Sequence, residues 1–293
     1  MKRAIIILGY KCNNNCLFCS VGDMDKNFER DFPEIVKDLY EKKEKNIDEV
    51  EFIGGEALIR RDIIDLVESA KGFGYKKILI ETNGRMMSIE KFARDIISAG
   101  LNTVSFSLHG HKAEIHDTLS GSEGSFEQCL QGISNAKKYG AEIRINYVVC
   151  KLNYKYISKL IELTEKLNPN TLSLSFINPV ASALENKQTL IPKLSDVSKY
   201  MIKALEKKVE YKLKIFNFPL CILPGFEKNI RVLDSMIDTA MSDGEKMNVS
   251  LKDNIRDLKI KPSRCKKCVK KNKCDGLWKG YYEMYSESEL KPY

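Results

Sequence analysis

The chain has 293 residues, 43% hydrophobic and 30% charged. That balance predicts a soluble globular protein of one large domain, or one plus a small one, whose core needs no disulfides. The longest purely apolar run, Ala4 to Leu8, is far below the roughly 18 residues a spanning helix requires, and no apolar secretory signal opens the sequence. A membrane or exported protein is therefore not expected, and a formal net charge of +8, with lysines read as spread along the chain, permits an anionic partner without demanding one.

From residue 1 to about 208 the sequence alternates short strand-like runs with amphipathic helices. Strands are expected over Ala4–Leu8, Val50–Ile53, Lys77–Glu81, Asn102–Leu108, Ile143–Val149 and Thr171–Ile177. Ile89, Phe92, Ala93, Ile96 and Ile97 form a helical stripe, as do Val197, Tyr200, Met201, Ala204 and Leu205. A third stripe begins at Phe126, where Ser125 and Gln128 suggest a capping box. Gly74, Gly100 and Gly140 stand where helices should stop. Such alternation specifies a parallel α/β sheet.

Parallel strands covered on both faces usually read as continuous apolar runs. Three strands here alternate instead: Ser105 and Ser107 oppose Val104 and Phe106, Arg144 and Asn146 oppose Ile143 and Ile145, and Ser173 and Ser175 oppose Leu172 and Leu174. Helices outside and a polar face inside predict a partial (βα)6 TIM-like barrel with a polar cavity. The expected division is a barrel over residues 1–208 and a small Cys-rich C-terminal region over 209–293. That region holds Pro219, Pro224 and Pro262, one weak helix around Asn229–Met241, and a tail helix marked by Trp278, Tyr281, Tyr282 and Tyr285.

Nine cysteines, an odd number, in a chain without an export signal predict a reducing, cytoplasmic setting. Two clusters point to metal. Cys12, Cys16 and Cys19 follow the first strand directly, where the catalytic end of a barrel lies. Three thiolates on one loop hold three corners of a cubic iron–sulfur cluster and leave one iron open to a ligand. A zinc knuckle with a distant fourth ligand is the alternative. Cys265, Cys268 and Cys274 form the second cluster, with Cys221 as the fourth thiol; zinc bound by four thiolates is chemically open there too. Cys129 lies on an apolar helical stripe and reads as core.

The segment Cys12-Asn-Asn-Asn-Cys16-Leu-Phe18-Cys19 resembles the signature loop of the radical SAM superfamily, down to the aromatic before the third cysteine. Gly54-Gly55-Glu56, Glu81-Thr82-Asn83-Gly84 and Ser105-Phe106-Ser107-Leu108-His109-Gly110 resemble that family's motifs at successive strand ends. The resemblance covers most of residues 1–180. It implies a 4Fe-4S cluster on Cys12, Cys16 and Cys19 that binds S-adenosylmethionine and cleaves it reductively to a 5′-deoxyadenosyl radical, with a flavodoxin- or ferredoxin-type reductant. Glu56 is the implied acceptor for the methionine ammonium group, with Gly54 and Gly55 beside it. Phe18, Thr82, Asn83, Ser105, Ser107 and Asn146 are further cofactor contacts. Relatives with auxiliary clusters carry an Arg a dozen residues after the fourth-strand Ser; this chain has Leu119 and Ser120 there, so Arg144 is the substitute cation for the carboxylate.

The C-terminal cysteines resemble the centre of a SPASM or twitch region, although Trp278 stands where a further cysteine is expected. The reading is one auxiliary 4Fe-4S cluster on Cys221, Cys265, Cys268 and Cys274. His109, His111 and His116 read as parts of the loop after the fourth strand, with His109 a candidate substrate contact or proton relay and His116-Asp117 fixing the loop. Lys266, Lys267, Lys270, Lys271 and Lys273, around the C-terminal cysteines, read as an offset to cluster charge rather than a nucleic-acid site. The implied reaction is hydrogen abstraction from a peptide or protein side chain, leading to oxidation or cross-linking. Cys12 comes too early for a peptide-recognition domain to precede the barrel. A cofactor-biosynthesis enzyme in the manner of the molybdopterin cyclase is the alternative, counted against by the missing Gly-Arg tail, with nucleoside or tRNA modification third. An iron–sulfur electron carrier or a zinc-stabilised binding module is the non-enzymatic alternative.

Overall fold

The structure is a computed structural model and describes residues 2–233, 238–242 and 249–293. Six strands fall where the apolar runs predict them: β1 Lys2–Ile7, β2 Glu49–Ile53, β3 Lys77–Thr82, β4 Thr103–Ser107, β5 Glu142–Val149 and β6 Thr171–Phe176. Between them run α1 Phe32–Glu44, α2 Ile63–Gly72, α3 Glu90–Ala99, α4 Ala113–Ser120, α5 Ser125–Lys138 and α6 Ile157–Leu167. The strands pair in parallel in chain order, β1 through β6. Ala4, Ile6, Val50, Phe52, Ile78, Ile80, Val104 and Phe106 are sealed beneath the helices. Ser105, Ser107, Arg144, Asn146, Ser173 and Ser175, on the opposite face, are only half-buried. The result is an incomplete parallel barrel with an apolar outer shell and a polar lumen.

The sheet does not stop at residue 208. After α7 Ala181–Glu185, α8 Lys187–Leu190 and α9 Leu194–Leu205, β7 Lys212–Phe216 joins β6 and β8 Ile230–Arg231 joins β7, both in parallel. Of the stretch expected as a helix around Asn229–Met241, the described residues hold β8 and the start of β9 Asp238–Ser242 instead, and residues 234–237 lie outside the described residues. β9 pairs in parallel with β1, whose outer edge would otherwise stand unpaired, and β10 Val249–Ser250 pairs antiparallel with β9. The described sheet therefore has ten strands, nine of them parallel. After α10 Leu251–Asp257, β11 Lys259–Ile260 and β12 Leu277–Trp278 form a small ribbon, and α11 Lys279–Tyr285 follows. Tyr281 on α11 is buried, and its hydroxyl accepts from Leu194 N at 2.8 Å, so the tail helix docks on the start of α9.

The barrel floor is charged. Arg3 at the start of β1 bonds Glu49 (3.0 Å) and Glu51 (2.8 Å) on β2, and Lys77 on β3 bonds Glu142 on β5 (2.7 Å).

The start of α5 differs from the expected capping box. Gly124, not Ser125, is the N-cap. The free N–H groups go instead to Asp117 on α4: Oδ2 accepts from Gly124 N (2.8 Å), and Oδ1 accepts from Phe126 N (2.8 Å) and from the Ser125 hydroxyl (2.9 Å). A carboxylate at a helix N-terminus also meets the positive end of the helix dipole, and these bonds hold its pKa below the usual carboxylate range despite partial burial. Asp117→Ala should cost about 1–2 kcal/mol, read as a lower urea midpoint at unchanged slope.

Candidate functional site

The C-terminal ends of the strands surround one chamber of about 370 Å³. Its rim is the loop that leaves β1 and carries Cys12, Cys16 and Cys19. This loop has no regular structure of its own, so its backbone is held by neighbours. Asn15 N donates to Ser120 O (2.9 Å) and Leu17 N to Leu119 O (3.0 Å), at the end of α4. From the other side, Gly55 N donates to Gly9 O (2.9 Å) and Glu56 N to Lys11 O (2.8 Å). The contact is so close that only glycine fits. A Cβ at Gly54, where φ is 148°, would lie 2.1 Å from Gly9 O, and one at Gly55 would lie 2.2 Å from Lys11 O.

Glu56 is buried and ties two strand ends together. Its Oε1 accepts from Leu58 N (3.1 Å) and the Thr82 hydroxyl (2.7 Å), and its Oε2 accepts from Asn83 N (2.7 Å). Burial still raises its pKa, against the pull of these donors. Asn83 extends the link to the cysteine loop, donating Nδ2 to Asn13 Oδ1 (2.7 Å). Arg85, which the sequence reading did not single out, bonds the Asn13 carbonyl and reaches Asn14 Oδ1 at 3.1 Å, while its Nε donates to Gln128 Oε1 at 2.7 Å. Only its position just after Thr82-Asn83-Gly84 hints at this role.

The chamber gathers the three cysteines with Phe18, Gly54, Gly55, Glu56, Thr82 and Asn83. Ser107, His109 and Asn146 complete the far wall. Ser105 and Arg144, expected at the cofactor, do not line this chamber. Both face inward, but each lies two residues earlier on its strand than Ser107 and Asn146, hence deeper in the barrel. The Arg144 guanidinium is taken by Glu142 at 2.9 Å and joins the charged floor. Lys26 is the basic side chain that lines the chamber instead, with Nζ on Val21 O at 2.6 Å.

His109 is buried, and its Nδ1 accepts from Val148 N (3.2 Å), so its other nitrogen carries the hydrogen. Burial pushes its pKa down to about 3, leaving it neutral and a donor rather than a base. His116 Nδ1 accepts from His109 N (3.1 Å), and with Asp117 capping α5 this pair does fix the loop after β4. Glu81 opens the Glu81-Thr82-Asn83-Gly84 motif but was given no role of its own, although strand alternation places it on the same face as Leu79, toward the lumen. It lines the chamber, and its Oε1 accepts from Asn146 Nδ2 at 3.1 Å. Burial first, then the nearby Glu51 charge, raise its pKa to about 7.

The second thiol set also converges. Cys221, Cys265, Cys268 and Cys274 line a small pocket closed by Tyr293 and Leu290. Cys221 comes from the turn after β7; the other three come from the loop joining β11 to β12. Cys129 and Cys150 are fully buried elsewhere in the core. Among the described residues no three His, Cys, Asp or Glu side chains stand at finished metal-ligand spacing, so fit rests on the donors themselves. In each set the thiols act on one another. Burial and then Cys12 and Cys19 push the Cys16 thiol up to about 12, and burial followed by Cys274, Cys221 and Cys268 pushes Cys265 up to about 11. No disulfide competes for any of them. Three thiols at a chamber rim and four in a closed pocket suit an open and a closed metal centre respectively.

The radical SAM superfamily profile matches residues 6–164, so the chain belongs to that superfamily. Membership implies a 4Fe-4S cluster and S-adenosylmethionine as cosubstrate. Similar curated proteins include the probable GTP 3′,8-cyclase of Saccharolobus islandicus, 30% identical over 177 residues, covering 60% of this chain and 56% of the relative. The AdoMet-dependent heme synthase of Oleidesulfovibrio alaskensis is 32% identical over 134 residues, covering 46% and 34%. The chain thus spans little more than half the length of the cyclase relatives it matches. In fold it is similar to Streptococcus suis SuiB bound to S-adenosylmethionine, with TM-score 0.68, 16% identity, and coverage of 96% of this chain and 74% of SuiB. It is similar also to anSMEcpe with bound AdoMet and a Kp18Cys peptide, with TM-score 0.69, 16% identity, and coverage of 100% and 93%.

Two predictions follow from this geometry. Gly55→Ala should keep the helix content seen by circular dichroism but lower the iron bound per chain after anaerobic reconstitution, because the cysteine loop can no longer dock. Glu81 binds its proton more tightly folded than unfolded, so its ionisation destabilises the fold as pH rises from about 4.5 to about 7. Glu81→Gln should therefore gain stability relative to wild type across that window and level off above it, in urea melts at stepped pH.

Proposed function

We propose that this protein is a radical SAM enzyme acting on a peptide or protein side chain, with Cys12, Cys16 and Cys19 holding the catalytic 4Fe-4S cluster. The observation that carries the reading is the gathering of three thiols on the rim of one chamber beside Gly54-Gly55-Glu56. When bound, cluster and cosubstrate together supply a 5′-deoxyadenosyl radical that abstracts hydrogen from the substrate.

The chain's own residues orient and shield. Glu56 holds Thr82 and Asn83 in place and keeps the glycine strand end against the cysteine loop. That strand end and the Glu56 carboxylate form the side of the chamber suited to the methionine ammonium group, and Lys26 is the cation within reach of the chamber for a carboxylate. Phe18 packs edge-on to His109, with ring centroids 4.8 Å apart, making a wall for an adenine or a substrate side chain. Ser107 and Asn146 present hydroxyl and amide groups from the strand ends.

The peptide substrate is supported by two things. The fold likeness to anSMEcpe runs through the C-terminal cysteine region as well as the barrel, and that region would place a second 4Fe-4S cluster on Cys221, Cys265, Cys268 and Cys274 as electron acceptor or anchor. The sequence likeness to GTP cyclases, at 30% identity over 177 residues, favours a purine nucleotide as the second reading.

The reconstituted protein, reduced with dithionite and given S-adenosylmethionine, should release 5′-deoxyadenosine, and Cys16→Ala should release none; equal release from both would overturn the assignment. Supplied in turn with candidate peptides and with GTP, the enzyme should change the mass of a peptide and leave GTP intact. Conversion of GTP alone would replace the first reading by the second. Visible absorbance retained by a Cys12→Ala/Cys16→Ala/Cys19→Ala variant, and bleached on reduction, would separate an iron–sulfur second centre from zinc.

A further inference from the structure

The net charge of the molecule is not spread out. Residues 259–274 contain eight Lys and Arg and no acid, and the rest of the chain is balanced at forty of each sign. The whole formal +8 therefore sits on sixteen residues, which are β11 and the loop bearing Cys265, Cys268 and Cys274.

The structure separates those eight by role. Lys270 pairs with Glu227 at 2.9 Å and lies 3.5 Å from the Tyr293 ring centroid. Arg264 is engaged with the Ser288 and Leu290 carbonyls at 2.9 and 3.2 Å. Lys259 is folded over the Trp278 ring at 4.0 Å. Lys261, Lys266, Lys267, Lys271 and Lys273 are exposed, and among the described residues none has a carboxylate partner. Between them in sequence, Val269 is 84% exposed, the most exposed large apolar side chain among the described residues, while its backbone N–H is pinned to Tyr293 O at 3.1 Å. A fixed backbone that presents one apolar side chain on a loop of exposed cations has the form of a docking face: charge steers the encounter and the apolar centre is buried on contact.

What lies beneath decides the partner. Lys261, Lys270 and Lys271 line the same pocket as Cys221, Cys265, Cys268 and Cys274, so the cationic face is also the outer wall of the second thiol site. A protein that docks there comes within a side chain's length of that centre. We propose that this face binds an acidic one-electron carrier protein and is the port through which electrons pass between that carrier and the second metal centre. One electron leaves the reduced carrier and reduces the oxidised cluster by one, or returns by the same route, and no bond forms or breaks. The docking site is new to the chain; its redox role rests on the proposed second cluster.

The test uses anaerobic holoenzyme and reduced flavodoxin as the acidic carrier. Wild type should bind flavodoxin and be reduced by it at a rate that falls steeply with added salt, because exposed charges are screened beyond roughly 8 Å at physiological ionic strength. Lys266→Glu/Lys267→Glu, the neutral pair Lys266→Gln/Lys267→Gln, and Val269→Asp should each lower the flavodoxin association rate, the charge reversal by about tenfold or more, and should flatten its salt dependence. Iron content and reduction by dithionite, which needs no docking, should stay at wild-type level. Unchanged flavodoxin binding and salt dependence in variants with full iron would overturn the proposal. So would retained flavodoxin binding with loss of a short RNA or a poly-glutamate peptide, since the face would then serve another partner. The iron retained by Cys12→Ala/Cys16→Ala/Cys19→Ala reports the second cluster separately: its absence would remove the redox role, and the binding arm would still decide the docking face.

Discussion

The chamber depends on one buried carboxylate. Glu56 is withdrawn from water, which disfavours its charge, and three donors from two separate strand ends compensate. Its position fixes that of Gly54 and Gly55, whose missing side chains let the cysteine loop lie against β2. Through Asn83 the same carboxylate reaches the other side of that loop, where Arg85 adds a second clamp. Three thiols on an otherwise irregular segment are thereby given fixed places before any metal arrives. Removing one donor would leave charge without a partner in the interior, which is why the arrangement stands or falls as a unit.

Much of this was legible in the sequence because it follows local rules. The six barrel strands, the polar lumen and the glycine helix stops come from periodicity and turn chemistry, and the cysteine loop from spacing. What escaped is what depends on depth or on distant pairing. Arg144 and Asn146 share a face, and alternation cannot tell that two residues along β5 separate the chamber from its floor. The Ser125 capping box is outcompeted by Asp117, a side chain from the preceding helix that reaches two N–H groups at once. β7 to β9 were missed because short strands recruited to a sheet edge owe their conformation to the partner, not to their own pattern. Cys221 could be chosen from the sequence only by counting thiols, yet it lies in the same pocket as the other three.

The two thiol sites are not isolated from one another. Asn217, just after β7, donates to the Ser175 hydroxyl (3.0 Å) and to Asn178 Oδ1 (2.7 Å), both on the chamber wall. Its own Oδ1 meets Lys259 Nζ at 3.5 Å. The charges that act most strongly on Lys259 are Asp275 and Cys274, and burial against them brings its pKa down to about 8. A continuous line of polar side chains thus joins the lumen to the edge of the second pocket, and Asn217 takes the left-handed backbone conformation, φ 65°, where it bridges them.

The pairing of β9 with β1 also sets the order in which the molecule can be completed. β1 gains β2 early, but its other edge waits for β9, which comes far later in the sequence, and Ser242 on β9 then closes on Asp38, already paired with Arg30 on the inner side of α1. Contacts of such long sequence separation form late. Until they do, the nascent barrel displays a bare row of amide and carbonyl groups, so a chaperone or a neighbouring copy meets its most adhesive surface just before the chain becomes self-sufficient.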